Sequence, residues 1–155
     1  MKRPIAIALR LATLALTGAM VAGPACAQLG GTASAPSSAR AFAQTTTSLF
    51  NGAAVRRTYI DAGGTTINEY ASSTGQIFAY TWSGPTSPDL RQLLGTHFSD
   101  YQAGVATAHE NAGLHGGRVV QPGFVVEAGG RMRGYTGRAW MPAALPPGVS
   151  IDDLQ

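Results

Sequence analysis

Alternating apolar and polar positions predict β-strands through the middle of the chain. Two runs rich in β-branched and aromatic residues, VRRTYID and TTINEYAS, lie on either side of Gly63 and Gly64, which is typical of a β-hairpin. A second turn at residues 73–75 leads into a third run, QIFAYTWS. Because side chains alternate between the faces of a strand, this run places three aromatic rings on one face: Phe78, Tyr80 and Trp82. The pattern predicts a three-stranded meander.

An amphipathic helix is expected to follow the meander. Gly84 and Pro85 end the third strand, since proline cannot donate to a sheet ladder. Ser87 fits a helix N-cap, with Pro88 at the first helical position and Asp89 in the first turn. Apolar residues then recur at steps of three and four: Leu90, Leu94, Phe98, Tyr101, Val105 and Ala108. This stripe needs an apolar partner, which favours the aromatic strand face as core over a platform for carbohydrate or peptide.

The second half of the chain predicts another hairpin. FVVEA and RMRGYTGRAWM are strand-like, and Gly129 and Gly130 between them indicate the turn. The fold class expected is α+β, with an antiparallel sheet of about five strands packed against one amphipathic helix. This domain covers residues 55–141. A flexible Ala/Ser/Thr/Gly leader is expected over 28–54, because it has few large apolar residues. Residues 142–155 form a Pro-rich tail that ends in a helical turn capped by Ser150.

The first 27 residues have the pattern of a secretory signal peptide. A basic start is followed by an apolar run to about Ala22, and Ala25-Cys26-Ala27 supplies the small residues that signal peptidase recognises. Cleavage after Ala27 leaves Gln28 at the N-terminus and no membrane span. A lipoprotein acylated at Cys26 and an uncleaved anchor are the alternatives. The expected location is the periplasm or the extracellular medium.

Cleavage also changes the charge of the chain. Three of the eleven basic residues, Lys2, Arg3 and Arg10, lie in the signal peptide, so the mature chain has eight arginines and eight acidic residues. A formally neutral protein has no general attraction for nucleic acid. The only cysteine, Cys26, is also removed, which excludes a disulfide and a cysteine nucleophile from the mature chain.

Three long motifs resemble a known family. NEYASSTGQIFAYTWSGPTSPDLRQLLG, GGRMRGYTGRAWMP and LPPGVSIDDLQ are similar to the small secreted Gram-negative proteins catalogued as domain of unknown function 2844. The resemblance runs from about Thr45 to the C-terminus. It implies an exported single domain. The family has no established activity, so the resemblance assigns no catalytic residue.

The mature sequence shows no constellation typical of catalysis. The hydrolase elbow, the dinucleotide and phosphate loops and the zinc-protease motif are absent. His97 and His109 are about 120° apart on the predicted helix, and His115 lies in a loop beyond it, so a shared metal site is not expected. We therefore expect no cofactor, no metal and no catalytic residues.

The function expected from the sequence is a non-catalytic exported module that binds another envelope or secreted protein. A small secreted hydrolase or metal-dependent enzyme is the alternative. Arg131, Arg133 and Tyr135 fall on one strand face at a period of two, next to the predicted Gly129 and Gly130 turn. Arginine and tyrosine are enriched where proteins bind each other. These three residues form the candidate partner surface, although the exposed face of an edge strand is the simpler explanation of them.

Overall fold

The computed structural model describes residues 27–33, 44–108 and 116–154. Its strands form one antiparallel sheet in the order β1-β2-β3-β4-β7-β6-β5. The strand bounds are β1 Thr45–Leu49, β2 Ala54–Ile60, β3 Thr66–Ser72, β4 Ile77–Gly84, β5 Gly116–Gln121, β6 Phe124–Arg131 and β7 Gly134–Trp140. The helical segment has two parts, α1 Leu90–Leu94 and α2 Phe98–Ala108, joined by a 3-10 turn at Gly95–His97.

The α+β class is confirmed, but over the described residues the sheet has seven strands and not about five. One reason is β1, which lies within the predicted flexible leader. Its sequence, TTTSL, has no alternating apolar pattern, yet it pairs with β2 at five consecutive positions. Backbone hydrogen bonding to a preformed neighbour can therefore order a strand that buries little of its own surface.

The helix begins two residues later than the sequence predicts. Asp89 is the N-cap, and its carboxylate accepts a hydrogen bond from the Gln92 amide at 3.1 Å. Ser87 makes no such contact. The single helix predicted from the apolar stripe is interrupted at Gly95, which has a φ of +56°. At that position the side chain of Gln28 occupies the space that a Cβ would need.

The first hydrophobic core lies between the sheet and the helices. Tyr80 and Trp82 of β4 are buried there with Leu93 and Leu94 of α1. The interpretation of these two rings as core is confirmed. Phe78 is an exception, because it belongs to a second cluster with Tyr70.

A register shift in the β3–β4 pair explains the position of Phe78. Tyr70 pairs with Ala79, but Ala71 pairs with Ile77, so Phe78 is an extra residue in β4. A β-bulge of this kind reverses the alternation of faces beyond it. The prediction of one face for all three rings was therefore wrong, and the second core lies on the face of the sheet away from the helices.

The N-terminal segment 27–33 is packed into the domain, which corrects the predicted leader for these residues. Leu29 is 2% exposed in the first core. Its amide donates to the Leu93 carbonyl at 2.8 Å, and the amides of Gly30 and Ala33 donate to the carbonyls of Ile77 and Gly75. Residues 28–33 are therefore part of the fold. Residues 34–43 lie outside the described residues.

The C-terminal tail packs against the second core. Val149 and Leu154 are buried there with Trp140. The tail ends in a 3-10 turn at Ile151–Asp153, whose N-cap Ser150 forms a capping box with Asp153, as the sequence predicts.

The predicted signal peptide lies outside the described residues except for Ala27. Within the described part of the chain, no helix has the length and apolar character needed to cross a membrane.

Candidate functional site

A row of polar side chains crosses the sheet on the face away from the helices. Its members are in direct register on six neighbouring strands: Thr58, Asn68, Thr81, Arg138, Glu127 and Arg118. They share one face because directly opposite residues in an antiparallel pair point the same way. We call this set the polar row.

Side-chain hydrogen bonds connect the first half of the polar row. The Thr58 hydroxyl donates to Asn68 Oδ1 at 2.7 Å. Asn68 Nδ2 donates to the Thr81 hydroxyl at 3.1 Å. The amide of Asn68 is thus fixed in one orientation by its two neighbours.

Ion pairs connect the second half of the row. Glu127 contacts two arginines, Arg138 Nε at 2.6 Å and Arg118 Nε at 3.3 Å. Arg138 Nη1 also contacts Asp152 Oδ1 of the C-terminal tail at 3.0 Å. The hydrogen bond to Glu127 is the main reason that the pKa of Arg138 is raised above its usual range. Burial opposes this effect, and the hydrogen bond to Asp152 adds to it. The guanidinium also lies 5.4 Å from the ring of Trp140.

The polar row borders an open depression with a volume of about 630 Å³. A second row of residues in register, Thr66, Ser83 and Thr136, lies beside it. The far side is lined by Gly129, which has no side chain to fill the space, and by the backbone of Gly117. Leu154 of the tail is an apolar part of the wall. Charged, amide and hydroxyl groups thus lie together in this depression.

A second polar cluster lies in the core on the helix side and does not reach the depression. Glu69 is 3% exposed. Its two carboxylate oxygens accept hydrogen bonds from Arg57 Nη1 at 3.0 Å and the Tyr80 hydroxyl at 3.2 Å. A buried carboxylate held by two donors serves the fold, since losing either donor would leave a charge poorly compensated.

The predicted partner residues Arg131, Arg133 and Tyr135 are brought together, but not on one strand face. The turn of this hairpin is at Met132 and Arg133, and not at Gly129 and Gly130 as predicted. Arg131 pairs with Gly134 at the end of the hairpin, while Tyr135 pairs with Gly130. Successive residues of a strand point to opposite faces, so Arg131 lies on the polar-row face and Tyr135 on the helix face.

Burial explains why the turn moves. In the observed register Val126 pairs with Ala139 and Val125 with Trp140, so that one pair enters each core. A turn at the glycines would shift these valines to the neighbourhood of residues 133 and 134. The pairs of Val126 with Ala139 and of Val125 with Trp140 would then be lost. The β6–β7 register is therefore the one that buries these apolar side chains.

Within the described residues, the tip of the β6–β7 hairpin extends beyond the neighbouring strands. Pairing of β4 with β7 ends at Tyr135, and pairing of β5 with β6 ends at Gly129. Among the described residues, Gly130 therefore pairs only with Tyr135, and Arg131 only with Gly134. Met132 at the end is 90% exposed, and Arg133 adopts a left-handed conformation with φ of +67°. We call residues 131–135 the hairpin tip.

The histidines do not form a metal site in the part of the chain that the structure describes. His97 lies against Phe124, with 5.0 Å between ring centroids. His109 and His115 are outside the described residues. Over 27–33, 44–108 and 116–154, the His, Cys, Asp and Glu side chains form no group of three that could hold a metal ion.

The described residues form an α+β domain with a depression on the sheet face away from the helices and an exposed hairpin tip. The chain belongs to the family described as "Protein of unknown function (DUF2844)", which matches residues 25–154. The resemblance seen in the sequence motifs is thereby confirmed. No curated protein and no solved structure matches the chain.

Sequence reasoning missed the polar row because its members are far apart in the chain. Each one is an ordinary polar residue of a strand, and only the strand order and register bring them together. The usable signal was the alternation itself: Thr81 lies between Tyr80 and Trp82, and Arg138 lies two residues before Trp140.

Proposed function

We propose that this protein is an exported, non-catalytic module that binds another envelope or secreted protein through the hairpin tip. Export is supported by the signal-peptide pattern of residues 1–27, and it places the module in the periplasm or outside the cell. The proposal requires no cofactor and no metal.

The main support for this proposal is the exposure of Met132. An apolar side chain that is 90% exposed at the turn of a hairpin contributes nothing to the core. It is flanked by Arg131 and Arg133, with Tyr135 next along the strand, all of them exposed. Methionine, arginine and tyrosine are the residue types enriched in protein interfaces relative to other surfaces. An exposed apolar residue surrounded by these types is suited to act as an anchor in a partner's pocket.

The state of the carboxylates supports binding over catalysis. Glu127 is held by two arginines and Asp152 by one. A general base must be free to take a proton from a substrate, and these carboxylates are instead committed to ion pairs. Glu69 is enclosed in the core.

The proposal is tested by affinity capture of partners with the mature protein. The bait variants are Met132→Ser, which removes the anchor, and Arg133→Gly, which removes a guanidinium from a backbone conformation that glycine prefers. Val120→Ser is the matched control, because Val120 is 63% exposed on β5, away from the tip.

We expect wild type and Val120→Ser to recover the same envelope or secreted protein and both tip variants to recover much less of it. Equal recovery by all four baits, each shown to be folded, would contradict a role for the hairpin tip.

A further inference from the structure

Three hydroxyl groups lie unused in one row of the depression. Thr66, Ser83 and Thr136 are in direct register on β3, β4 and β7. Ser83 and Thr136 are exposed and Thr66 is half-buried. Their hydroxyls have no hydrogen-bond partner among the described residues. This differs from the adjoining polar row, in which the threonine and asparagine groups are bonded to one another.

The charged side chains of the adjoining polar row are paired with opposite charges. Glu127 and Asp152 face Arg118 and Arg138, and each of the four takes part in an ion pair. An ionic ligand would compete with these ion pairs for the charged groups. The site therefore suits an uncharged ligand that offers several hydrogen-bonding groups.

The shape of the depression limits the ligand further. Its volume of about 630 Å³ is within the range of small-molecule sites. Neighbouring strands are about 4.8 Å apart, so the three hydroxyls repeat at a distance close to the length of a pyranose ring. The threonine methyl groups, Leu154 and the bare backbone of Gly129 provide apolar contact for the C–H face of a sugar.

From these observations we infer that the depression binds a neutral oligosaccharide, whose chain runs across the strands along the row of Thr66, Ser83 and Thr136. The free hydroxyls bond to the sugar hydroxyls, which can both donate and accept. Asn68 and Arg138, fixed by their own neighbours, are positioned to contact the sugar from the polar row. This site is separate from the hairpin tip and does not depend on the function proposed for it.

Titration of the isotope-labelled protein, followed by the shifts of its backbone amide NMR signals, tests the inference. The neutral probes are maltotriose, cellotriose and triacetylchitotriose. Trigalacturonate is the charged counterpart, and an uncharged Gly/Ser/Thr peptide represents the other ligand class. We expect at least one neutral trisaccharide to cause saturable shifts at Thr66, Ser83 and Thr136, and neither trigalacturonate nor the peptide to do so.

Two triple variants identify the groups responsible. Thr66→Val/Ser83→Ala/Thr136→Val removes the three hydroxyls with little change in volume, and affinity should fall at least about tenfold. Thr46→Val/Thr96→Val/Ser99→Ala makes the same changes at exposed positions elsewhere and should leave affinity unchanged. The inference is overturned if no neutral trisaccharide binds at millimolar concentration, if the first triple variant binds normally, or if trigalacturonate or the peptide is preferred.

Discussion

The indole ring of Trp82 occupies the space that a side chain at position 137 would need. The two residues are directly opposite in the β4–β7 register. A Cβ built on Gly137 would overlap the ring of Trp82 and lie 2.6 Å from the Glu127 carbonyl oxygen. Gly137 thus leaves room for the Trp82 ring in the first core. The next residue of β7, Arg138, points to the opposite face of the sheet.

Replacement of Gly137 by alanine should therefore destabilise the fold. We expect the free energy of unfolding to fall by about 1–3 kcal/mol, because the indole cannot stay in place beside a Cβ. Gly117→Ala is the matched control: Gly117 lies in the same cross-strand row, and a Cβ there meets nothing within 4 Å. Denaturant unfolding of both variants checks this. Equal stability of the two would show that the Trp82 contact is unimportant.

The N-terminal segment is predicted to contribute to stability like any other core element. Leu29→Ala should cost about 2–5 kcal/mol, the usual range for truncating a buried leucine. Thr32→Ala, at an exposed position of the same segment, should change little. If thermal unfolding of the mature protein is unaffected by Leu29→Ala, residues 28–33 are a flexible leader after all.

The start of the helix gives a second comparison. Asp89→Ala removes the observed cap and should lower the unfolding free energy by about 1 kcal/mol. Ser87→Ala should have almost no effect, because the serine is exposed and does not cap the helix. If chemical denaturation shows that Ser87→Ala lowers the unfolding free energy more than Asp89→Ala does, then Ser87 is the N-cap, as expected from the sequence.

Alkaline pH should destabilise the protein in part through Tyr101. Burial raises the pKa of this phenol, so the folded state resists its ionisation while the unfolded chain ionises in the usual range. The stability is present below that range and is lost as pH rises through it. The free energy of unfolding should fall less steeply with rising alkaline pH in Tyr101→Phe than in wild type. Tyr135→Phe, a change at an exposed position, is the control and should resemble wild type. An unchanged slope in Tyr101→Phe would contradict the effect.

Local pattern predicted the elements that bury a regular face. The strands around Tyr80 and Trp82 and the helix carrying Leu94 follow from periodicity, because in these segments one side of the element meets the core. Features that are set by the pairing of distant strands could not be predicted from the local pattern. The bulge at Phe78 depends on how β3 meets β4, and the turn at Met132 depends on the pairing of Val125 with Trp140. Neither is encoded in a local motif.

The candidate surfaces were predicted to different extents. Arg131, Arg133 and Tyr135 were found from residue type, yet their arrangement around a tip required the true register. Met132 gave no signal, since a methionine within a strand-like run is normally buried. The depression was missed entirely, because its hydroxyls lie on three strands that are separated in the sequence.

Site-specific photo-crosslinking in the exported protein tests the central claim most directly. A photoreactive residue at position 132 or position 120 probes two exposed apolar sites, one on the hairpin tip and one on β5. We expect a discrete adduct with an envelope or secreted protein from position 132, weakened by Arg133→Gly and absent from position 120. No adduct from position 132, or the same adducts from both positions, would contradict it.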